Sequence, residues 1–422
     1  MRVLHTSDWH LGRTFGGASL LDEQAEVVDR IVELAVEHQV ELVVIAGDLF
    51  DRAIPPAPAV ELFGEALARL HATGARVAAI SGNHDSAVRI GVGDRLLNEM
   101  GVAVRGDVAR VAEPLMLTDP ADGGPPVAVY LVPFLEPSVD VARLAVAASV
   151  TEHDQPEAVP VPAPSRPPLP GALAEVVTLR PRRATHDHVT RLVTGAIRRH
   201  HATLGPARSV VVAHAFVAGG RPSDSERDLS VGGIERVGVD AFEGFDVVTL
   251  GHLHQAQDLD GPRLGYCGTP LPYSFSEEGQ AKSVRIVELA PNGAVQAEHV
   301  ALRVGRPLRT LTGTLAHLLE QPSLRAHEAS RVRARLTDPH LPNQAMGRLR
   351  QRFPHAVELR HEPEGAINAP RRRAANLTAL EALSPLDLAL QFWADQQGTE
   401  ASTAEHEVLA LAVAATLAEA DP

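Results

Sequence analysis

The sequence predicts an α/β fold built on parallel strands, followed by a small α+β module and a helical tail. Three observations predict it. Amphipathic helical stretches alternate with short, wholly apolar runs through the first hundred residues. Two more apolar runs recur at residues 209–213 and 246–250, and the pattern changes in kind after about residue 300.

In chain order, residues 3–7 open with a strand pattern. Over 21–36, Leu21, Ala25, Val28, Val32 and Ala35 recur at steps of four and three, the period of a helix with one apolar face. The run 42–46 follows. The alternation then repeats, as a helix with Pro58 near its start and Gly74 after its end, and then the run 76–80. The order βαβαβ implies adjacent parallel strands, and strands covered on both faces are apolar throughout. A further helix, marked by Val189, Leu192, Val193, Ala196 and Ile197, precedes the run 209–213.

Between these halves, residues 155–171 carry prolines at 156, 160, 162, 164, 167, 168 and 170. Fixed φ and missing N–H groups exclude a helix or a central strand, so about 154–171 reads as an extended, exposed insertion without a role in the site. After residue 300, a strand at 332–336, a helix at 343–353 and a strand at 356–361 form a small module, taken as 301–364. Residues 366–376 read as a connection within a tail, 365–422, that ends in two helices. Ser384 with Pro385 caps the first, and Ser402 with Glu405 has capping-box spacing at the second. Leu386, Ala389, Leu390, Phe392 and Trp393 on one helix, and Val408, Leu409, Leu411, Ala412, Ala415 and Leu417 on the other, give two apolar faces. These either pack on their own module or wait for a partner.

Composition narrows the function classes. At 422 residues and 45% hydrophobic, the chain can bury a large core and fold as more than one domain. With no leader pattern after Met1 and no apolar run long enough to span a bilayer, the expectation is a cytoplasmic chain with no membrane contact. The single cysteine, Cys267, excludes an internal disulfide and a thiolate metal cage, and reads as a small buried residue. A net charge of -14 excludes a globally basic surface, so any nucleic-acid contact must be local. Lys282 is the only lysine, which fits the codon usage of a GC-rich genome.

The chemistry lies at the ends of the predicted strands. Asp8 and His10 follow the first in SDWH, and Asp48 follows the second in GDLFD. Asn83, His84 and Asp85 follow the third in GNHD, His214 closes VVVAH, and His252 and His254 follow the last in GHLH. Carboxyl ends of parallel strands converge on one edge, so these residues should meet. Imidazole, carboxylate and amide donors together suit manganese, iron, cobalt or zinc, and two such ions about 3.5 to 4 Å apart need a bridging carboxylate. Asp48 is the natural bridge. A lone GHLH or GNHD would be weak evidence, but four motifs in one order, each after a strand, are not chance.

This set resembles the calcineurin-like metallophosphoesterase superfamily from Met1 to about residue 290. Within it, HTSDWHLGR, AGDLFDRAIPP, SGNHDS and YCGTPLPYSFSEEG are similar to the SbcD family of DNA-repair nuclease subunits. The resemblance implies an αββα sandwich as a nuclease domain over 1–300, an α+β capping domain over 301–364 and a partner-binding tail over 365–422. It implies Asp8, His10, Asp48 and His254 on one metal and Asp48, Asn83, His214 and His252 on the other, with two divalent ions, manganese by family habit. His84 would face the phosphate, to position it or to protonate the leaving oxygen. Asp85 would either orient His84 by a hydrogen bond or cap the following helix. Asp51 completes GDxxD, but archaeal counterparts carry histidine there, which leaves its part open. The implied activity is 3′ to 5′ exonuclease on duplex DNA and endonuclease on single strands and hairpins. It is exerted with an SbcC-type ATPase, as a homodimer within a heterotetramer.

Two other readings compete. A phosphatase or phosphodiesterase for small substrates would share the ligand set but has no need of the added module and tail. A non-catalytic DNA-binding scaffold is at odds with the intact ligands and His84. Arginines at 180, 182 and 183, at 198 and 199, and at 371–373 could meet DNA phosphates, although such runs are more often solvated faces.

Overall fold

The computed structural model describes residues 1–118, 123–140, 143, 185–226, 236–363, 383–397 and 399–419. The proline-rich stretch, the connection at 366–376 and the arginines at 180, 182, 183 and 371–373 lie outside them. The chain forms two compact units, Met1–Arg309 and Thr310–Pro422.

The first unit begins with β1 (Arg2–Thr6), a hairpin of β2 (Thr14–Phe15) and β3 (Ala18–Ser19), α1 (Leu21–Glu37), β4 (Leu42–Ala46), α2 (Ala57–Ala72) and β5 (Arg76–Ile80). Two short helices, α3 (Ala87–Ile90) and α4 (Asp94–Glu99), lead to β6 (Val102–Arg105), β7 (Leu115–Leu117) and β8 (Val127–Val132). Then come α5 (His186–Thr203), β9 (Arg208–His214), β10 (Val247–Gly251), β11 (Gln257–Asp260), β12 (Leu264–Tyr266), β13 (Ser283–Leu289) and β14 (Val295–Ala301). They form two six-stranded sheets, in the orders β14-β13-β1-β4-β5-β6 and β11-β12-β10-β9-β8-β7. β1, β4, β5 and β6 run parallel in one, and β8, β9, β10 and β12 run parallel in the other.

Alternation along each strand assigns side chains to different layers. Val3, Leu42, Val44, Ala46, Ala78 and Ile80 of the first sheet pack on Val129, Leu131, Val210, Val212 and Val247 of the second. On the outer faces, Leu4, Val43, Ile45 and Val77 pack under Val28, Ile31 and Leu34 of α1 and Phe63 and Leu70 of α2, while Val211, Ala213, Val248 and Leu250 pack under Val189, Val193 and Ile197 of α5. The result is an αββα sandwich. Both faces of each central strand are buried, which is why the strands read as unbroken apolar runs. β8 and the antiparallel pair β13–β14 were not expected from the sequence, and Leu302, beyond residue 300, still packs in the first unit's core.

The second unit carries β15 (Leu308–Gly313), which begins just before it, with α6 (Leu315–Glu320), β16 (Arg331–Leu336), α7 (Ala345–Arg352) and β17 (Ala356–His361), in a three-stranded sheet ordered β15-β16-β17. Leu311, Leu315, Leu318, Val332, Leu336, Leu349 and Phe353 form its core. Two terminal helices, α8 (Pro385–Gln397) and α9 (Thr403–Glu419), follow. Their caps match the sequence: Asp387 N donates to Ser384 Oγ at 3.1 Å, and Ser402 N donates to Glu405 Oε2 at 2.8 Å. Among the described residues no helix is long and apolar enough to cross a membrane.

A candidate two-metal centre at the carboxyl ends of both sheets

Three of the ligand-bearing loops, those after β1, β4 and β10, leave their strands by a sharp turn. Asp8, His10, Asp48 and His252 have φ of 53°, 45°, 49° and 107°, in the left-handed region that costs a non-glycine residue about 1 to 3 kcal/mol. Strain of this kind persists only where the surroundings enforce it. Here Asp8 N donates to Gly47 O, His10 N to Asp48 O and Leu11 N to Leu49 O, each at 3.0 Å, so the loops after β1 and β4 are stitched together. The glycines of GD and GN are required by proximity: a Cβ on Gly47 would lie 2.3 Å from His214 Nδ1, and one on Gly82 would lie 2.1 Å from Asp48 Oδ1.

The turns bring all the expected donors to one place. Ligand atoms of Asp8, His10 and His254 lie within 4.8 Å of one another, as do those of Asp8, Asp48 and His214. His10 Nε2 is 3.3 Å from His254 Nε2 and 3.7 Å from Asp48 Oδ2. On the other side, Asn83 Oδ1 is 2.9 Å from His214 Nε2 and 3.2 Å from His252 Nδ1, and His214 Nε2 is 3.6 Å from Asp48 Oδ2. Asp48 therefore stands between two donor groups.

The electrostatics fit a cation. Burial, then the charge on Asp48, push the Asp8 carboxyl well up, and burial pushes Asp48 up to about 6. Burial also drives His214 down to about 3 and His10, His252 and His254 well below the usual imidazole range, with neighbouring positive groups adding to the effect. The imidazoles are thus neutral, with lone pairs free for ligation. His214 Nδ1 donates to Ala46 O at 2.8 Å, so its Nε2 presents a lone pair to Asn83 Oδ1. Two acceptors face each other, and Asn83 Nδ2 is buried with no partner. A cation held by both residues would turn that repulsion into coordination.

His84 sits half-buried beside this group, its ring 4.7 Å from that of His10. Its Nδ1 donates to the Asp51 carbonyl at 2.9 Å, so the contribution of Asp51 to His84 comes from the main chain, while its carboxylate pairs with Arg13 at 3.1 Å. Asp85 corrects the expectation from the sequence on both counts. It neither bonds His84 nor caps α3. Its carboxylate accepts from Leu49 N and Phe50 N at 3.0 Å and from Gly82 N at 2.9 Å, tying the GNHD loop to the GDLF loop. Burial and the Asp48 charge push Asp85 up to about 7, against the pull of those three amides.

Other contributors were missed in the sequence. Gln24 of α1 donates to the carbonyls of Trp9 and His10 at 3.1 and 2.8 Å. Phe216 packs at 6.1 Å from the His252 ring, and Ser225, Glu277 and Lys282 gather behind His254. Two had a signal: Glu277 lies in the YCGTPLPYSFSEEG motif, and Lys282 is the one lysine of the chain. Of the arginines considered for DNA, Arg198 is committed to the fold, donating to Glu243 O at 2.8 Å and Ala241 O at 2.7 Å.

A buried set of carboxylates, imidazoles and an amide at the carboxyl edge of an αββα sandwich defines the metal-dependent phosphoesterases. In agreement, residues 1–118 match the calcineurin-like phosphoesterase family, and residues 304–397 match the family described as the type 5 capsule protein repressor C-terminal domain. The chain is 35% identical over 312 residues to the SbcD subunit of the nuclease SbcCD from Bacillus subtilis (strain 168), covering 73% of this chain and 71% of that protein. It is 28% identical over 328 residues to the protein of the same name in Escherichia coli (strain K12), covering 76% and 73%. Among solved structures, a dimetal phosphatase from Danio rerio is similar at 11% identity and a TM-score of 0.38, over 72% of this chain and 96% of that one, too slight a likeness to bear on the site. The chain belongs to the SbcD family of nuclease subunits and is a phosphodiester hydrolase.

Proposed function

We propose that the chain is the catalytic subunit of a two-metal DNA nuclease. Asp8, His10, Asp48 and His254 would hold one divalent ion and Asp48, Asn83, His214 and His252 the other. The observation that carries this reading is the convergence of both donor groups on Asp48, whose Oδ2 faces His10 on one side and His214 on the other. Manganese suits a set of imidazole, carboxylate and amide donors that contains no thiolate. When bound, the two ions supply positive charge for the phosphoryl oxygens and lower the pKa of an attacking water. Asp48 Oδ1 accepts from His84 N at 2.9 Å, which holds the His84 loop at the centre. With Nδ1 of His84 donating to Asp51 O, Nε2 is the ring atom left for substrate, to hold a phosphoryl oxygen or pass a proton to the departing sugar oxygen.

The proposed substrates are duplex DNA, degraded from 3′ to 5′, and single-stranded or hairpin DNA, cut internally. The proposed setting is the cytoplasm, and the proposed assembly is a homodimer within a heterotetramer with an SbcC-type ATPase. Two apolar surfaces support the assembly. Val88, Val92, Leu96 and Met100, every fourth residue through α3, α4 and the turns beside them, are 67 to 74% exposed, a stripe suited to a second copy. On α8 and α9, Phe392, Val408 and Leu411 are 65 to 72% exposed, and no side chain described on either helix is buried. The α+β module fits a capping domain that confines the DNA. A nuclease assay on linear duplex and hairpin DNA, with manganese and with or without the ATPase, tests the reading. Manganese-dependent cleavage of both substrates is expected; cleavage of a chromogenic phosphodiester with both DNAs left intact would contradict it.

A further inference from the structure

Lys282 is the one lysine among 39 lysine and arginine residues, and its place explains why that position is not arginine. Its side chain is 10% exposed. The ammonium donates to Thr269 Oγ1 at 2.8 Å, to the His254 carbonyl at 3.1 Å and to Glu277 Oε2. With Gln280 Oε1 farther off at 3.4 Å, these three nearer acceptors match the three N–H directions of an ammonium, which a planar guanidinium cannot reproduce from the same point. Glu277 is 1% exposed, so the lysine supplies the charge that its carboxylate needs in order to stay buried.

The protons downstream can be counted. Glu277 Oε1 accepts from Tyr273 N at 3.2 Å and from Ser225 Oγ at 2.5 Å. A carboxylate only accepts, so the single hydroxyl proton of Ser225 goes to Glu277, and Ser223 Oγ, 2.9 Å from Ser225 Oγ, can only donate to it. Ser225 Oγ also lies 2.5 Å from His254 Nδ1, and with its own proton committed it must accept there. Glu226 Oε1 accepts from His254 N at 2.8 Å and holds the same residue by its backbone.

We infer that Lys282, Glu277 and Ser225 form a positioning relay that fixes His254 with its proton on Nδ1 and turns the Nε2 lone pair toward the metal centre. The last clause rests on the reading of His254 as a ligand; the tautomer itself does not. Partners of this kind behind a ligating histidine typically change metal affinity 10- to 100-fold.

The test uses the full chain, free of metal and labelled with ¹⁵N-histidine, with the His254 signal identified by its loss in His254→Gln. A proton on Nδ1 is expected. Lys282→Arg and Ser225→Ala should each lose that fixed tautomer, a change that loosened packing elsewhere would not produce, and should bind manganese about 10- to 100-fold more weakly by calorimetry. A proton on Nε2 of the unaltered chain overturns the relay, whether or not the variants fold. So does a Lys282→Arg chain that keeps both the tautomer and the affinity. If the tautomer behaves as inferred but the unaltered chain binds no manganese, the relay stands and the ligand role of His254 fails.

Discussion

The carboxyl edge of the sandwich and the terminal helical hairpin depart from ordinary burial in opposite senses. At the edge, Asp8, His10, Asp48, His214 and His254 are at most 2% exposed, polar groups held away from water and crowded acceptor against acceptor. In the hairpin, Phe392, Val408 and Leu411 stand 65 to 72% exposed, apolar groups left in water. Burying a charge without a counter-charge is costly, and so is leaving apolar area exposed, at about 25 cal/mol per Å². The difference teaches where to look for what is missing. At the edge the proposed offset is a cation; at the hairpin it is the surface of the proposed partner.

The comparison breaks most sharply at Asp48. Asp48→Ala removes the carboxylate that both donor groups share, so DNA cleavage should fall to background and at least one ion should be lost from the centre. Full occupancy of both ions in that variant would mean the groups are independent. His84→Gln should be milder, since the His84 ring is proposed to act on substrate and is not one of the proposed ligands: metal binding is retained while turnover falls about 10² to 10⁴-fold. Unchanged turnover would remove His84 from the chemistry. Asp85→Ala strips acceptors from three buried amides and should cost about 1 to 3 kcal/mol in stability, read from the midpoint of a denaturant titration. An unshifted midpoint would show that the two loops hold each other without it. The smallest effect on cleavage is expected from the hairpin: a chain ended after Pro363 should cleave DNA with manganese alone as the full chain does, yet fail to copurify with an SbcC-type ATPase. Retained copurification would assign the exposed apolar faces to another purpose.

The two regions were unequally legible in the sequence. The proposed ligands could be read because parallel strands place their carboxyl ends together, so Asp8, Asp48, Asn83, His214 and His252 each follow a visible apolar run. What those runs could not show is the division into two sheets: Val43 and Val44 are alike in type yet face different cores, and nothing in an unbroken apolar run assigns a face. Asp85 was misjudged for a related reason. Its donors are main-chain amides, two of them some 35 residues earlier in the chain, and amides leave no mark in a sequence. Ser225 and Lys282 reach His254 from separate loops, with only an unusual residue choice, one lysine among arginines, as a trace. The hairpin's caps and apolar positions were plain, since a capping box and helical spacing are local. Whether those faces were covered could only be read from exposure.

The central claim is that Asp48 joins two metal sites, and anomalous scattering from crystals of the full chain grown with manganese tests it most directly. The account predicts two peaks flanking Asp48, one among Asp8, His10 and His254 and the other among Asn83, His214 and His252. A single peak, or two peaks that do not share Asp48, would contradict it.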